Sequence, residues 1–467
     1  MSKRSQQFIS IFRRILPGPF TIAILLTVLT VLLALFLTKP DATSHGTYLV
    51  ELFSSWEEGL WDDSAGGLYF AFQMMLILVL GHVLALSGPV DRLIKALLVY
   101  CKNTASSVFV VATGAIIMGL FNWGLGLIFG AILARKVGEK FAHQQRAINY
   151  GLVGAAAYAT MMVWHGGLSG SATTKAMEEG YIPSMMKNMG ISGEYPDFLP
   201  FEATIGSTMN IFVAALCILI IPLFLYFIAR RSGNGFVPQF TKQFGKTAED
   251  PIGKMKGAER LDYSKFVGTL LGLGILVVVV IKAFNYQGES ALGFINLNFI
   301  NLSLLGLSIF FHRSINNFIS AVQLSIGDIS GILIQFPLYF GILGIMKGSG
   351  LITLLSDSII AVATDYTLPL LTFFSAGVVN FFVPSGGGQW AIQGPILIES
   401  AAQLDADLPK TVMAMAYGDQ LTNMLQPFWA LPLLGITKLK PYQILPYTFL
   451  LFVLGVILFG GVLLVWG

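Results

Sequence analysis

The side chains in this chain that could do chemistry are mostly uncharged, and they gather where apolar sequence is interrupted. Between the apolar runs Leu368–Phe382 and Trp390–Ile398 lie Pro384, Ser385 and three consecutive glycines, Gly386, Gly387 and Gly388. A helix interior disfavours Gly by about 1 kcal/mol and Pro by about 3 kcal/mol, so the spacing predicts two helical arms joined by a tip. The arm that begins near Gln389 would turn free N–H groups and the positive end of its dipole toward that tip, where a carboxylate could sit. Asn380 and Gln389 add neutral donors beside it, and Trp390 could wall an apolar pocket or simply pack.

Three further interruptions share this character. Asn122, Gly124 and Gly126 separate the apolar runs Ser106–Phe121 and Leu125–Ala134. The stretch His165-Gly-Gly-Leu-Ser-Gly-Ser-Ala-Thr-Thr174 ends another apolar run and offers Ser169, Gly170, Ser171, Thr173 and Thr174 to an anion. His165 could pair with an anion, carry a proton or hold a structural hydrogen bond. In the last interruption Asp419, Asn423 and Gln426 fall on one helical face, close to Gln420. That face could bind a cation or a proton, with Asn122 and Asn380 as further ligands, or could be an interhelical hydrogen-bond network. Gly124, Gly126 and Gly130 could equally be small residues that let helices approach. Trp123 and Trp429 could shape a pocket or pack.

Other chemistry is excluded. The sequence has no phosphate-binding lysine loop, no nucleophile elbow and no paired metal ligands. Cys101, Cys217 and the five histidines follow no ligand spacing, so neither a metal nor an enzyme cofactor is expected, and the chain does not read as an enzyme. No basic stripe with interleaved aromatics suggests nucleic acid.

Stepping from these groups to what holds them, 55% of the 467 residues are hydrophobic and 11% are charged, with a mean hydropathy of +0.74. Soluble domains carry about 25% charged residues. An all-α polytopic membrane protein follows, partnered by the lipid bilayer. The interruptions then fall at membrane depth, where bare backbone is tolerated only against protein or a water-filled cavity.

Basic residues mark the cytoplasmic side. Lys3, Arg4, Arg13 and Arg14 place the N-terminus inside, ahead of a first span over Phe20–Leu37. An acidic outer loop, Lys39–Gly67, leads to a span over Leu68–Leu86 and a surface helix over Asp91–Lys102. Residues 105–137 form a re-entrant hairpin opening inward, Ala147–Trp164 a span that breaks at His165, and Asn210–Ile228 a return span, with an external loop to Glu202 between them. Residues 1–229 make one half and 230–265 a cytoplasmic linker; 266–467 hold a connecting span over Phe266–Phe284 and a second half. That half has spans over Leu297–Phe311 and Gly331–Met346 flanking a surface helix over Ser314–Asp328. A hairpin opening outward, 368–403, follows, then a span over Lys410–Ile436 broken at Gln426-Pro427, and a last span over Tyr442–Trp466. Gln73 and Gln335, Asn122 and Asn380, Gly130 and Gly394, and Tyr150 and Tyr417 echo one another in order. The halves read as an inverted repeat with two re-entrant hairpins and two broken helices, the arrangement of secondary transporters that bind near the midplane. Arg135 and Glu399 are expected near the outer ends of hairpin arms, reaching for the interface.

Val383–Pro395, Met415-Ala-Tyr-Gly-Asp-Gln420 and Gln426-Pro-Phe-Trp-Ala-Leu-Pro432 closely resemble the short-chain fatty acid transporter family, and Asn122–Gly126 and His165–Ser171 sit where that family has its first-half motifs. Where the family often begins its broken-span motif Trp-Gly-Gly, this chain has Trp164 followed by His165. The resemblance covers nearly the whole chain. It implies uptake of small monocarboxylates such as butyrate and acetoacetate across a bacterial inner membrane. It also implies a place among ion-coupled anion transporters, a homodimer and an elevator-like motion. The coupling ion is open between Na⁺, which Asn122, Asn380 and backbone carbonyls would suit, and H⁺, which Asp419 or His165 would suit. Rival readings are a passive anion channel, a dicarboxylate carrier of the same fold and a lipid-modifying enzyme. The second would need fixed positive charge at the tips and the third clustered acid–base or metal residues, and neither is found.

Overall fold

The computed structural model describes residues 19–61, 68–188, 193–233, 235–240, 257–287, 294, 297–351, 354, 357–358, 361–382, 386–426 and 429–466. The basic N-terminal cluster, Pro384, Ser385, Pro427 and linker residues 234 and 241–256 therefore lie outside the described residues. Within them the chain is helical, with one isolated β-bridge between Ile148 and Phe236.

The first half comprises α1 (Pro19–Leu37), α2 (His45–Leu60), α3 (Leu68–Ala85), α4 (Gly88–Leu98), α5 (Thr104–Phe121), α6 (Trp123–His143) and α7 (Tyr150–Tyr158). A 3₁₀ turn, Ala159–Met162, ends α7, and α8 (Ser171–Ala176), α9 (Tyr181–Asn188) and α10 (Thr208–Arg231) follow. After the connecting helix α11 (Lys265–Phe284) come α12 (Leu297–His312), α13 (Ile315–Ser325), α14 (Ser330–Gly348), α15 (Leu368–Phe382), α16 (Gly386–Gln403) and α17 (Leu408–Thr422). A second 3₁₀ turn, Asn423–Leu425, precedes α18 (Leu431–Thr437) and α19 (Pro441–Val465). Short polar side chains begin many of these helices: Ser44, Asn103, Asn149, Ser207, Ser264, Ser314 and Asp407 each accept an N–H from the first turn. Each such cap contributes about 1 kcal/mol.

By length and composition, four helices among the described residues can cross a membrane: α5, α10, α11 and α19. The pair α3 and α4, bent by 72°, makes a fifth if counted as one span. On α11 the apolar side chains point outward, Phe266 and Phe284 most of all, as lipid-facing residues do. The arms of the first hairpin are long. At 1.5 Å per residue, α5 and α6 extend about 27 and 32 Å, so length alone does not force either to turn back within the bilayer.

The two halves repeat in element order and pack reciprocally. In the first, α1, α2 and α3 run helix, amphipathic helix, helix; α12, α13 and α14 do the same in the second. Helix α14 packs on α1 and α2, while α3 packs on α12 and α13. The helix after each break leans on the other half's hairpin, α8 on α16 and α18 on α6. Such exchanged contacts are those a pseudo-twofold between the halves would produce. The largest core cluster joins both halves around the breaks, with Tyr158, Met162, Trp164, Tyr417, Met424 and Trp429 in it.

Several expectations are corrected. The acidic segment after the first span is the helix α2, seated on α14 through Ser55, Gly59, Gly341, Gly344 and Gly348, where a methyl group on any of the four glycines would overlap the partner helix. The external loop of the first half contains α8 and α9. Arg135 does not reach for an interface. It is buried, donates to Glu139 Oε1 at 2.9 Å and lies 3.8 Å over the Phe240 ring. The first tip is a single residue, Asn122, rather than the three between Phe121 and Leu125, and the second arm of the second hairpin starts at Gly386 rather than near Gln389.

Candidate functional site

Each broken span is held open by side chains from elsewhere. In the first, Gln420 Oε1 accepts the N–H groups of His165 at 2.9 Å and Gly166 at 3.3 Å. Asn210 Nδ2, from α10, donates to Gly166 O at 2.8 Å and Ile205 O at 2.7 Å, and its Oδ1 accepts from Tyr417 Oη at 2.9 Å. Leu168 N–H donates to Leu120 O at 2.8 Å, and Trp123 N–H donates to Ser169 Oγ at 3.0 Å, which joins this break to the first tip. Thr173 Oγ1 closes the loop onto His165 O and Gly170 O, both at 3.2 Å. Gly170 has to be glycine because a methyl group there would run into His165 O.

The second break is braced from the first half. Tyr158 Oη has Asn423 O at 2.9 Å and Gln426 O at 3.1 Å for its one proton. Asn380 Nδ2 faces Asp419 O, Thr422 Oγ1 and Asn423 Oδ1, each at 2.8 Å, and Gln426 Nε2 donates to Asn380 O at 2.6 Å. Backbone groups freed by the 3₁₀ turns are thus satisfied without helix, as a break in an apolar setting requires.

Where the breaks meet, His165 and Asp419 face each other at 0% and 1% exposure, with Nδ1 2.5 Å from Oδ2 but off the line of a hydrogen bond. His165 Nε2 accepts the Ala172 N–H at 2.9 Å. That nitrogen carries no proton, so the bond assigns the neutral ring with its proton on Nδ1, toward the carboxylate. Gly386 completes the junction. A methyl group there would lie 2.8 Å from His165 Cε1, 2.8 Å from Trp164 Cη2 and 2.9 Å from Asp419 Oδ2. The first residue of α16 therefore presents its backbone to both broken spans. Gly387 comes next, its open face 3.7 Å from Ser171 Cβ, and Gly388 lies in the same opening turn.

Among the buried polar atoms of the described residues without a hydrogen-bond partner, Asn122 Nδ2, Trp164 Nε1, Asn380 Oδ1, Asp419 Oδ2 and Gln426 Oε1 belong to this site, and others are spread through the scaffold. An unpaired buried group costs about 1–3 kcal/mol, so a cluster of them calls for a ligand. Asn122 also caps α6, accepting from Leu125 N–H at 2.9 Å.

Other predicted residues serve the scaffold. Gly124 is packed against Ile77, and Gly126 against Gly119 and Thr160, so tightly that neither could carry a methyl group. Gln389 Nε2 donates to Ala376 O and Gln393 Oε1, both at 2.9 Å, inside the second hairpin. Trp390 is fully buried in a separate cluster with Ile182 and Leu397. Trp164, Tyr158 and Asn210 were not singled out from the sequence, although a lone Asn near the start of an apolar span is a usable signal.

A family model described as short chain fatty acid transporter matches residues 1–465. A protein of Escherichia coli K12, provisionally named a short-chain fatty acid transporter, is 34% identical over 100% of this chain and 98% of its own length. A protein of Haemophilus influenzae Rd with the same provisional name is 34% identical over 98% of this chain and 99% of its own. Among solved structures, the YdaH transporter of Alcanivorax borkumensis, described as having an unusual topology, aligns over 95% of this chain and 98% of that one. Its identity is 15% and its TM-score 0.43.

Proposed function

Because the chain belongs to the short chain fatty acid transporter family, we propose that it is a secondary carrier of small monocarboxylates, butyrate and acetoacetate among them, in the bacterial inner membrane. The carrying observation is the contact of Gly386 with Trp164, His165 and Asp419. It brings the N-terminus of an 18-residue helix to two unwound spans. There the helix dipole and the amides of Gly386, Gly387 and Gly388 favour an anion, and Asn122 Nδ2 offers an uncharged donor.

In this reading the carboxylate cannot bind alone, because Asp419 already places a buried acid at the junction. A cation on Asn380 Oδ1 and Gln426 Oε1, two oxygens without a donor, beside the Asp419 carboxylate offsets that charge. Each ion then raises the affinity of the other by the same factor. His165 is the poorer coupling group, since protonating Nε2 would break its bond to Ala172. The hairpins open from opposite sides, the N-terminus lies inside, and two copies move substrate by an elevator-like step. The last three features follow from charge distribution and family resemblance. A dicarboxylate carrier would want fixed positive charge, and Lys175, on the helix leaving the first break, is instead paired with Glu178 at 2.8 Å.

The test is uptake of labelled butyrate and acetoacetate into proteoliposomes, with Na⁺ and proton gradients imposed separately, followed by counterflow. Accumulation driven by one gradient, with exchange of labelled for unlabelled acid, supports the carrier. Uptake without counterflow indicates a channel, and no uptake of any short acid overturns the substrate assignment.

A further inference from the structure

Three tryptophans from separate elements close one side of the junction. Trp123 opens α6, Trp164 precedes His165, and Trp429 follows the second break. Their ring centroids are 5.4 Å apart for Trp123 and Trp429, 6.1 Å for Trp123 and Trp164, and 6.5 Å for Trp164 and Trp429. At such spacings the rings touch, so no carbon chain passes between them. Trp164 also stacks on His165, at 4.3 Å and 14° between planes, and turns Cη2 of its six-membered ring, not its N–H, to Gly386. Its indole N–H has no partner although the residue is 4% exposed. The N–H groups of Trp56 and Trp390 are unpartnered too, so what sets Trp164 apart is its place at the junction, stacked on His165 and against Gly386.

We infer that the Trp164 N–H binds the substrate carboxylate and that the wall of Trp123, Trp164 and Trp429 limits the length of acyl chain the site accepts. The inference rests on the carrier reading and adds its selectivity. An acid whose head group lies at Gly386 and Trp164 must run its tail along or away from indole faces fixed by three different elements. Trp123 is further anchored through its backbone N–H on Ser169. A tail that fits gains about four-fold in affinity per buried methylene, and one that meets the wall loses that gain.

The test is ligand-induced thermal stabilisation of the purified full chain by acetate, butyrate, hexanoate and octanoate, in parent, Trp164→Phe, Trp429→Phe and Trp429→Leu proteins. Trp164→Phe keeps a stacked ring and removes the donor. It should weaken all acids by a common factor, about ten-fold or more for a lost bond to a charged group. The Trp429 variants should move the preference toward hexanoate and octanoate, with Trp429→Phe giving the smaller shift in the same direction should Trp429→Leu not fold. If the parent binds no acid, the carrier reading itself falls. If the parent binds butyrate but Trp164→Phe binds it as tightly, the donor assignment is overturned. A parental chain-length profile in folded Trp429→Phe overturns the wall.

Discussion

One methyl group added at Gly386 should cripple transport, while the same methyl at Gly387 should be tolerated. At Gly386 the new atom meets His165 Cε1 and Trp164 Cη2 at 2.8 Å and Asp419 Oδ2 at 2.9 Å, with nothing flexible to give way. Trp164 is stacked and wedged between two indoles, and His165 is held by Ala172. Overpacking of this kind costs about 1–3 kcal/mol. If it falls on the state in which the tip closes on the breaks, that state becomes about 5- to 150-fold less populated. At Gly387 the nearest atom, Ser171 Cβ, is 3.7 Å away, an ordinary contact. Both substitutions gain the same helix propensity in the first turn of α16, up to about 1 kcal/mol, so the pair isolates the contact. The assay is butyrate counterflow in proteoliposomes at matched protein density. Gly386→Ala should lose at least five-fold and Gly387→Ala should stay within about two-fold. Parental activity in Gly386→Ala, or equal losses in both, would refute the placement of the tip.

Three further outcomes are expected. Tyr158→Phe removes the hydroxyl that faces Asn423 O and Gln426 O, leaving Asn423 O with the Gln426 N–H, and should destabilise the protein by about 1–3 kcal/mol; an unchanged unfolding midpoint would show that the second break does not depend on it. Asn380→Ala removes one oxygen of the proposed cation site and the donor to Asn423 Oδ1. The stabilisation that the parent gains from the coupling cation should disappear in this variant, and a full parental response would exclude the residue from the site. Gly344→Leu drives a side chain into Ser55 O where α2 crosses α14; it should lower the folded yield sharply while Gly274→Leu, whose surroundings are open, does not.

The pattern of interruptions carried much of this structure. The helix interruptions at Asn122, between Phe382 and Gly386, after Met162 and after Leu425 were legible because Gly, Pro and short polar residues inside long apolar runs disfavour helix. What escaped has physical reasons. Asn122 ends α5 with an N–H to Met118 O and starts α6 with its side chain, so a five-residue motif breaks the helix for a single residue. The acidic residues of α2 read as loop, yet the small residues along it matter more, because they let it lie on α14. Gln389 and Trp390 follow the glycines directly, but Gln389 turns into the hairpin's own packing and Trp390 into a cluster shared with α8 and α9, a choice set by rotation about α16 that spacing alone does not fix. Tyr158 and Gln420 each brace the opposite break across more than 250 residues of sequence, and no local pattern marks such a pairing.

The claim beneath all of this is that the second hairpin's tip meets the first broken span at one buried junction. Cysteines at Gly387 and Ser171 test it directly, in a protein with Cys101 and Cys217 replaced and a protease site placed within residues 241–256. The Cβ positions lie 3.7 Å apart, inside the range of about 3.5–4.5 Å that a disulfide spans. Oxidation should keep the two halves joined after cleavage and stop transport, and reduction should release both. Halves that separate after oxidation, although each single cysteine reacts with a maleimide, would contradict the account.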